Sequence, residues 1–316
     1  MVLIHGTGSS AALAWSSSVG KLASGYSIYA PDLPAFGRTQ IPWHSICNAT
    51  PSEVEDIYAD WLANYIDAIG VAKPVVVAHS IGGFFAIKFA KKYPAKVSKL
   101  ILVDPAGLFP TLGSSGFYFG CLFKFGIPMR QMRRMGRVGS SVFYTVFDNL
   151  KASAKAYYWL QLNASPTAFG DQVIGKFIAP NKTFFSQCWS RPALRDLLTA
   201  GVPFAFVYGE TDNVFPPSQG RLVVELGMKK KGFLASEKMV GIVPGAWHMP
   251  YHIEKGDPFV EKVLQAVEAA CVPEPSTALL KELESLDPFL FCTSCSLSKT
   301  NIAIQRLYAH LRSFSN

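Results

Sequence analysis

The sequence predicts an α/β fold: a mostly parallel sheet flanked by helices. Three observations carry that expectation. Short, nearly uncharged apolar runs alternate with segments of helical period, glycine and proline stand at the joints, and the composition is apolar enough to cover both faces of a sheet. Hydrophobic residues make up 49% of the 316 and charged residues 16%, which excludes disorder across the chain as a general reading. That length accommodates one domain with an insertion as readily as two domains.

The expected strands are Val2–Ile4, Ser27–Ala30, Val75–Ala78, Leu100–Val103, Phe204–Tyr208 and Val240–Val243. Between them the clearest helix starts at Ser52, with Val54, Ile57, Trp61, Leu62, Tyr65, Ile66 and Ile69 on one stripe. Ser52 and Glu55 fit a capping box at its start, and Gly70 is placed to stop it. A second helix begins just after Ser80 and runs to Tyr93, ahead of Pro94. A third spans about Pro258 to Cys271, with Phe259, Val263, Leu264 and Val267 on one face. Strand–helix–strand repetition of this kind calls for right-handed crossovers.

The alternation fails between residues 108 and 195, a stretch rich in Phe, Tyr, Gly and Arg that reads as an inserted helical lid. The composition changes again at Pro273, Pro275 and Ser276. The expected organisation is therefore a core of residues 1–107 and 196–271, a lid of 108–195 and a C-terminal extension of 272–316.

The formal charge is +8 and the isoelectric point about 9.1. Arg130, Arg133, Arg134 and Arg137 form one basic group, and Lys229, Lys230 and Lys231 another. Two readings stay open: solvated faces, or attraction to an anionic membrane surface or acidic substrate. No nucleic-acid reader motif accompanies the charge. Residues 105–123 carry no charge, yet Pro110 and four glycines break them, which fits a lid or interfacial segment better than a bilayer span.

The opening Met-Val-Leu-Ile-His-Gly is too short and too soon glycine-rich for the apolar region of a signal peptide. Six scattered cysteines, in a chain with its own core, point to reduced thiols and an intracellular, cytoplasmic setting. Cys292 and Cys295 form a lone C-x-x-C with no second pair, which argues against a zinc site.

The residues that promise chemistry centre on Val75-Val-Val-Ala-His79-Ser80-Ile81-Gly82-Gly83. A strand turning sharply into a helix can hold a serine at its tip, provided small residues stand two before and two after it. Ala78 and Gly82 occupy those positions. The helix N-terminus then sets free N–H groups and a positive partial charge beside the serine oxygen. Serine at its ordinary pKa needs a base, and the base needs an orienting acid.

This segment resembles the nucleophile elbow of the α/β-hydrolase superfamily, and two later segments resemble its partner loops. Gly209-Glu-Thr-Asp212-Asn-Val-Phe-Pro216 follows the expected strand Phe204–Tyr208, and Pro244-Gly-Ala-Trp-His248 follows Val240–Val243. The resemblance covers roughly residues 1–107 and 196–271. It implies the α/β-hydrolase fold, with Ser80 as nucleophile, Asp212 as acid and His248 as base. Asp104, also just after a strand, is the alternative acid.

Ile4-His5-Gly6-Thr7-Gly8 resembles the family's His-Gly turn, which implies an oxyanion hole from the N–H groups of Thr7 and Ile81, with His5 structural. Asp32-Leu-Pro-Ala-Phe-Gly37-Arg38-Thr39 resembles the segment flooring the site, with Ala35 in place of one glycine. Trp247 likewise stands where relatives have glycine. Relatives carry further strands before the His-Gly turn, so the likeness implies either truncated N-terminal strands or a sheet that begins late.

The implied activity is that of a serine hydrolase: attack by Ser80 on an ester or related acyl bond of a hydrophobic substrate, through an acyl-enzyme intermediate, with no cofactor and no metal. Phe117, Phe119 and Phe123 of the lid are candidate substrate contacts, and a peripheral membrane surface is a candidate partner. A carbon–carbon bond hydrolase of the meta-cleavage type and a non-catalytic binding protein of the same fold are the rival readings. Relatives that hydrolyse epoxides or haloalkanes use aspartate where Ser80 stands.

Overall fold

In the computed structural model five parallel strands form the central sheet, in the order β1 (Val2–Ile4), β2 (Val75–His79), β3 (Lys99–Val103), β6 (Phe204–Gly209) and β7 (Val240–Val243). The structure describes residues 1–109, 134–146, 152–153, 155–156, 159–160, 170–180, 187–189, 191–227, 238–252, 257–275 and 277–285. The strands are almost wholly buried, as near-continuous apolar runs in a sheet covered on both faces must be.

Ser27–Ala30 does not become a strand. Only Tyr29 bridges β1, donating its N–H to the Met1 carbonyl at 3.0 Å and accepting from Leu3 N at 2.8 Å. Pro31 ends the run after one pairing, because it has no N–H to continue a ladder. The bridge nevertheless lies on the edge of β1 away from β2. The chain therefore leaves β1 to one side and returns to the other, which makes the β1/β2 junction the point where the strand order reverses. Crevices at such a point, beyond the carboxyl ends of the strands, are where open α/β sheets bind ligands.

The helix Pro51–Ala68 starts one residue earlier than the sequence pattern predicts, and its N-cap lies two residues earlier. Its capping box is Thr50 with Glu53: Thr50 Oγ1 accepts from Glu53 N at 3.3 Å, and Glu53 Oε2 accepts from Thr50 N at 2.7 Å. Pro51 at the first helical position favours this register, since its fixed φ suits a helix start and its missing N–H costs nothing there. Glu55, released from capping, is buried and accepts from Arg191 Nε at 2.6 Å, with Lys88 Nζ at 3.3 Å. Lys88 also pairs with Asp196 at 2.6 Å. These contacts tie the end of the inserted segment to the helices Pro51–Ala68 and Ile81–Lys92.

The helix Ile81–Lys92 packs on β2 and β3 and against its neighbours Pro51–Ala68 and Leu194–Thr199, whereas Asp257–Ala269 packs on β3, β6 and β7. The insertion is not wholly helical. Besides the helices Arg137–Val146 and Gly170–Gly175 it holds an antiparallel ribbon, β4 (Ile178–Pro180) with β5 (Gln187–Trp189). Phe177, just before β4, and Trp189, the last residue of β5, stack at 5.6 Å between ring centroids. Both pack edge-on against Phe84 of the elbow helix, at 5.1 Å. The base of the insertion thus rests on the helix that follows Ser80. The helix Thr277–Ser285 follows and puts Leu279 into the core cluster, with Leu283 packed against it. No helix among the described residues is long and apolar enough to cross a membrane.

Candidate active site

Ser80 sits between β2 and its helix with φ 52° and ψ −121°, a backbone region that L-residues occupy only where surrounding contacts enforce it. Those contacts are present. Ser80 N donates to Val103 O at 2.9 Å, and its carbonyl accepts from Gly83 N and Ala106 N at 3.0 Å each. Two glycines make room for the turn. A Cβ on Gly82 would stand 2.4 Å from His5 O, and one on Gly6 would stand 2.8 Å from Ser80 Cβ. The requirement for a small residue two places after the serine is therefore a requirement for space against the turn after β1.

Ser80 Oγ lies 3.1 Å from His248 Nε2, and His248 Nδ1 lies 2.9 Å from Asp212 Oδ2. All three side chains are buried. The remaining oxygen of Asp212 accepts from Val214 N at 2.8 Å and Phe215 N at 3.1 Å. Burial raises the affinity of the Asp212 carboxyl for a proton, but the bonds from His248 and Val214, together with its contact to Asp104, outweigh it and hold the group below its ordinary value. An ionised Asp212 fixes the imidazole with its proton on Nδ1 and its lone pair on Nε2, facing the serine.

The loops that supply Asp212 and His248 touch backbone to backbone. Thr211 N and Oγ1 both donate to Ala246 O, at 2.8 and 3.0 Å, and Gly245 N donates to Glu210 Oε2 at 2.8 Å. A Cβ on Gly209 would stand 2.0 Å from the Trp247 carbonyl oxygen. Trp247 itself needs no positive φ, and its side chain is 47% exposed, so a large residue fits where relatives have glycine.

Sequence reasoning gave no role to His79 or Tyr251. His79 Nε2 donates to the backbone carbonyl of His248 at 2.8 Å, and Tyr251 donates its hydroxyl to His79 Nδ1 at 3.1 Å. Together they brace the chain at the base. Nothing marked them beforehand beyond the adjacency of His79 to Ser80. His79, Asp104 and His248 offer ligand atoms within 4.8 Å of one another. Both nitrogens of each imidazole already carry the hydrogen bonds above, so a cation would have to break the relay to bind.

Thr7 follows the turn that packs on the elbow, and its Oγ1 is buried without a hydrogen-bond partner. Ile81 opens its helix, so its N–H has no acceptor within the helix. His5 is structural in its contacts: Nδ1 donates to Gly6 O at 2.8 Å and Nε2 accepts from Leu33 N at 2.9 Å. Burial lowers its proton affinity, against a smaller opposing pull from Asp32, which suits a neutral ring.

Asp32 accepts from Ala11 N and Arg38 N at 2.8 and 2.9 Å and organises the floor. Ala35 holds φ 68° there, a glycine-like conformation. Phe117, Phe119 and Phe123 lie outside the described residues. Asp104, the alternative acid, is fully buried, with Oδ1 accepting from Gly209 N at 3.0 Å. The bond to His248 is made by Asp212.

Residues 1–262 match the family described as "Alpha/beta hydrolase family". Among curated relatives, the abhydrolase domain-containing protein abhd-5.2 of Caenorhabditis elegans is 31% identical over 236 residues, 72% of this chain and 51% of that protein. A 1-acylglycerol-3-phosphate O-acyltransferase of Sus scrofa is 37% identical over 107 residues, and a (lyso)-N-acylphosphatidylethanolamine lipase of Bos taurus 33% over 107. Each of those matches covers 34% of this chain and 30% of the relative. The chain thus spans about half the length of the first relative and less of the other two. In fold it is similar to an esterase of Thermogutta terrifontis, with a TM-score of 0.56, 20% identity, and coverage of 84% of this chain and 88% of that one.

Proposed function

Because the chain belongs to the alpha/beta hydrolase family, we propose that it hydrolyses an ester or related acyl bond of a hydrophobic substrate through an acyl-enzyme on Ser80. The observation that carries this is the unbroken relay from Ser80 Oγ through His248 to Asp212, at 3.1 and 2.9 Å. In the proposed reaction Ser80 Oγ attacks the carbonyl carbon while its proton passes to His248 Nε2. The carbonyl oxygen takes up the negative charge and is met by the N–H groups of Thr7 and Ile81, with the partial positive charge of the helix start behind them. The unpartnered Thr7 hydroxyl is a further donor at hand. Collapse of the tetrahedral species breaks the bond to the leaving oxygen, which takes the proton from His248. Water, deprotonated in turn by Nε2, attacks the acyl-serine and frees the acid.

The class of substrate follows from the insertion. From residue 105 to 147 the chain carries Lys124, Arg130, Arg133, Arg134 and Arg137 and no acidic residue, which favours an acyl chain with an anionic head. On the same stretch Val138 and Val142 are 61% and 42% exposed one turn apart on the helix Arg137–Val146, with Met135 50% exposed in the turn before it, beside the exposed Arg134 and Arg137. Apolar residues flanked by arginines suit contact with the surface of an anionic membrane. The names of two relatives, an acyltransferase of a lysophospholipid and a lipase, point to the same class.

A panel of p-nitrophenyl esters of graded chain length, run beside a fluorophosphonate probe, tests the reading. Turnover that rises with acyl length, and labelling lost in Ser80→Ala, are expected. A folded wild-type protein that neither turns over nor labels would move the assignment to a binding protein. Cleavage of vinylogous diketones without ester cleavage would move it to carbon–carbon hydrolysis.

A further inference from the structure

We infer that His79 is a positioning residue for the base: its Nε2–H holds His248 by its own backbone carbonyl, and the Tyr251 hydroxyl fixes the tautomer that this bond needs. The inference rests on the proposed role of His248 and deepens it.

His79 ends β2 and immediately precedes Ser80, so one residue anchors the base and the next presents the nucleophile. A backbone carbonyl only accepts, so the 2.8 Å contact between His79 Nε2 and His248 O requires an imidazole proton on Nε2. In a neutral ring Nδ1 is then an acceptor, and the Tyr251 hydroxyl donates to it at 3.1 Å. Burial pushes that phenol above its ordinary value, so it keeps the proton it shares. The opposite tautomer would set a lone pair at Nε2 against the carbonyl oxygen.

Tyr251 is itself held. It is fully buried, and its carbonyl accepts from Ser17 Oγ at 2.6 Å. Its ring lies 5.2 Å from Trp15 and 6.0 Å from Phe259 between centroids, and meets His79 edge-on at 4.9 Å. The turn after β1 closes on His79 as well, since a Cβ on Gly6 would stand 2.5 Å from Nδ1. The ring therefore has little room to swing away from either partner. Asp212 orients the imidazole of His248 but does not fix the backbone that carries it. His79 does, and a backbone shift of about 1 Å would take the 3.1 Å contact with Ser80 out of proton-transfer reach.

The test compares wild type with His79→Gln, His79→Leu, Tyr251→Phe and the double variant His79→Leu with Tyr251→Phe. The readouts are steady-state turnover of a p-nitrophenyl ester and the nitrogen resonances of isotope-labelled histidine at neutral pH. Glutamine keeps an N–H for the carbonyl, whereas leucine fills the space without one. Leucine is expected to lower kcat by about tenfold or more with KM within about twofold, and glutamine to keep kcat within about threefold of wild type. Tyr251→Phe frees the tautomer and should lower kcat by about threefold, but add nothing once residue 79 is leucine. The wild-type resonances should show His79 neutral with its proton on Nε2, and Tyr251→Phe should move them toward Nδ1.

An unchanged kcat in His79→Leu, or glutamine as slow as leucine, would overturn the inference by reducing His79 to packing. A wild-type His79 protonated on Nδ1, alone or together with Nε2, would overturn it too. Should leucine not fold, Tyr251→Phe decides, and neither kcat nor tautomer moving would end the case. If wild type neither turns over nor labels, the proposed hydrolysis fails separately. The resonances then judge His79: the His248 Nδ1–H signal should be sharp in glutamine and lost in leucine, and equal sharpness in both overturns it.

Discussion

The rim of the sheet and the inserted segment meet polar and apolar groups with opposite economies. At the rim, Ser80, Asp104, Asp212 and His248 are buried, and the relay's hydrogen bonds run to fixed backbone or side-chain partners, with Asp104 Oδ2 left without one. In the insertion, Val138 and Met135 stand at 61% and 50% exposed among arginines. The rim is built so that a proton has one path, which demands rigidity. The insertion turns Val138 and Val142 outward while Phe177 and Trp189 are buried at its base. The polar relay and the exposed apolar residues thus lie in separate parts of the chain, joined where Phe177 and Trp189 rest on Phe84.

The sharpest way to break that division is at the rim. Ser80→Ala should lower ester turnover by about 10⁴-fold or more while leaving the melting temperature close to wild type, since one hydroxyl is lost from an already enforced turn. Asp212→Asn should cost a similar factor by presenting a donor to Nδ1 and reversing the tautomer. Equal losses from soluble and vesicle-borne substrates are expected in both.

Gly82→Ala puts a methyl against the His5 carbonyl and should destabilise the fold by about 2 kcal/mol or more, read by thermal melting. Val138→Asp with Val142→Asp tests the other half. Binding to anionic vesicles should weaken by about tenfold or more, while turnover of a short soluble ester is unchanged. Parallel loss of both activities would mean that the helix supports the rim after all.

A smaller effect concerns pH. Asp104 binds its proton more tightly folded than unfolded, so its contribution is intact below about pH 4 and is lost as pH rises toward its folded value. Asp104→Asn should therefore melt higher than wild type at pH 8, the gap closing as the pH falls toward 4. Asp212 runs the other way, its contribution lost as pH falls through its lowered value.

The same division governed what could be read from sequence. β1 and β7 run over the predicted Val2–Ile4 and Val240–Val243, and β2, β3 and β6 differ by a residue at an end, because continuous apolar runs have no alternative use. Ser80, Asp212 and His248 were legible because each follows such a strand within a patterned loop. The capping box moved from Ser52 to Thr50 because Pro51 outweighed the spacing cue. Ser27–Ala30 shrank to one bridge because Pro31 ends the pairing. The ribbon β4–β5 gave no warning, being three residues a side. Nor did the brace formed by His79 and Tyr251, which depends on residues more than 170 positions apart. The patterned loop chose Asp212 over Asp104 as acid, but what Asp104 does instead could not be read, since only its surroundings show it.

The interlocked turns after β6 and β7 have a bearing on engineering. With the Gly209 α-carbon pressed on the Trp247 carbonyl and Thr211 sharing its two donors with Ala246, neither turn can be lengthened or grafted by itself. Chimeras that exchange both as a cassette should keep their working geometry. Those that exchange one should lose it, whatever the donor sequence.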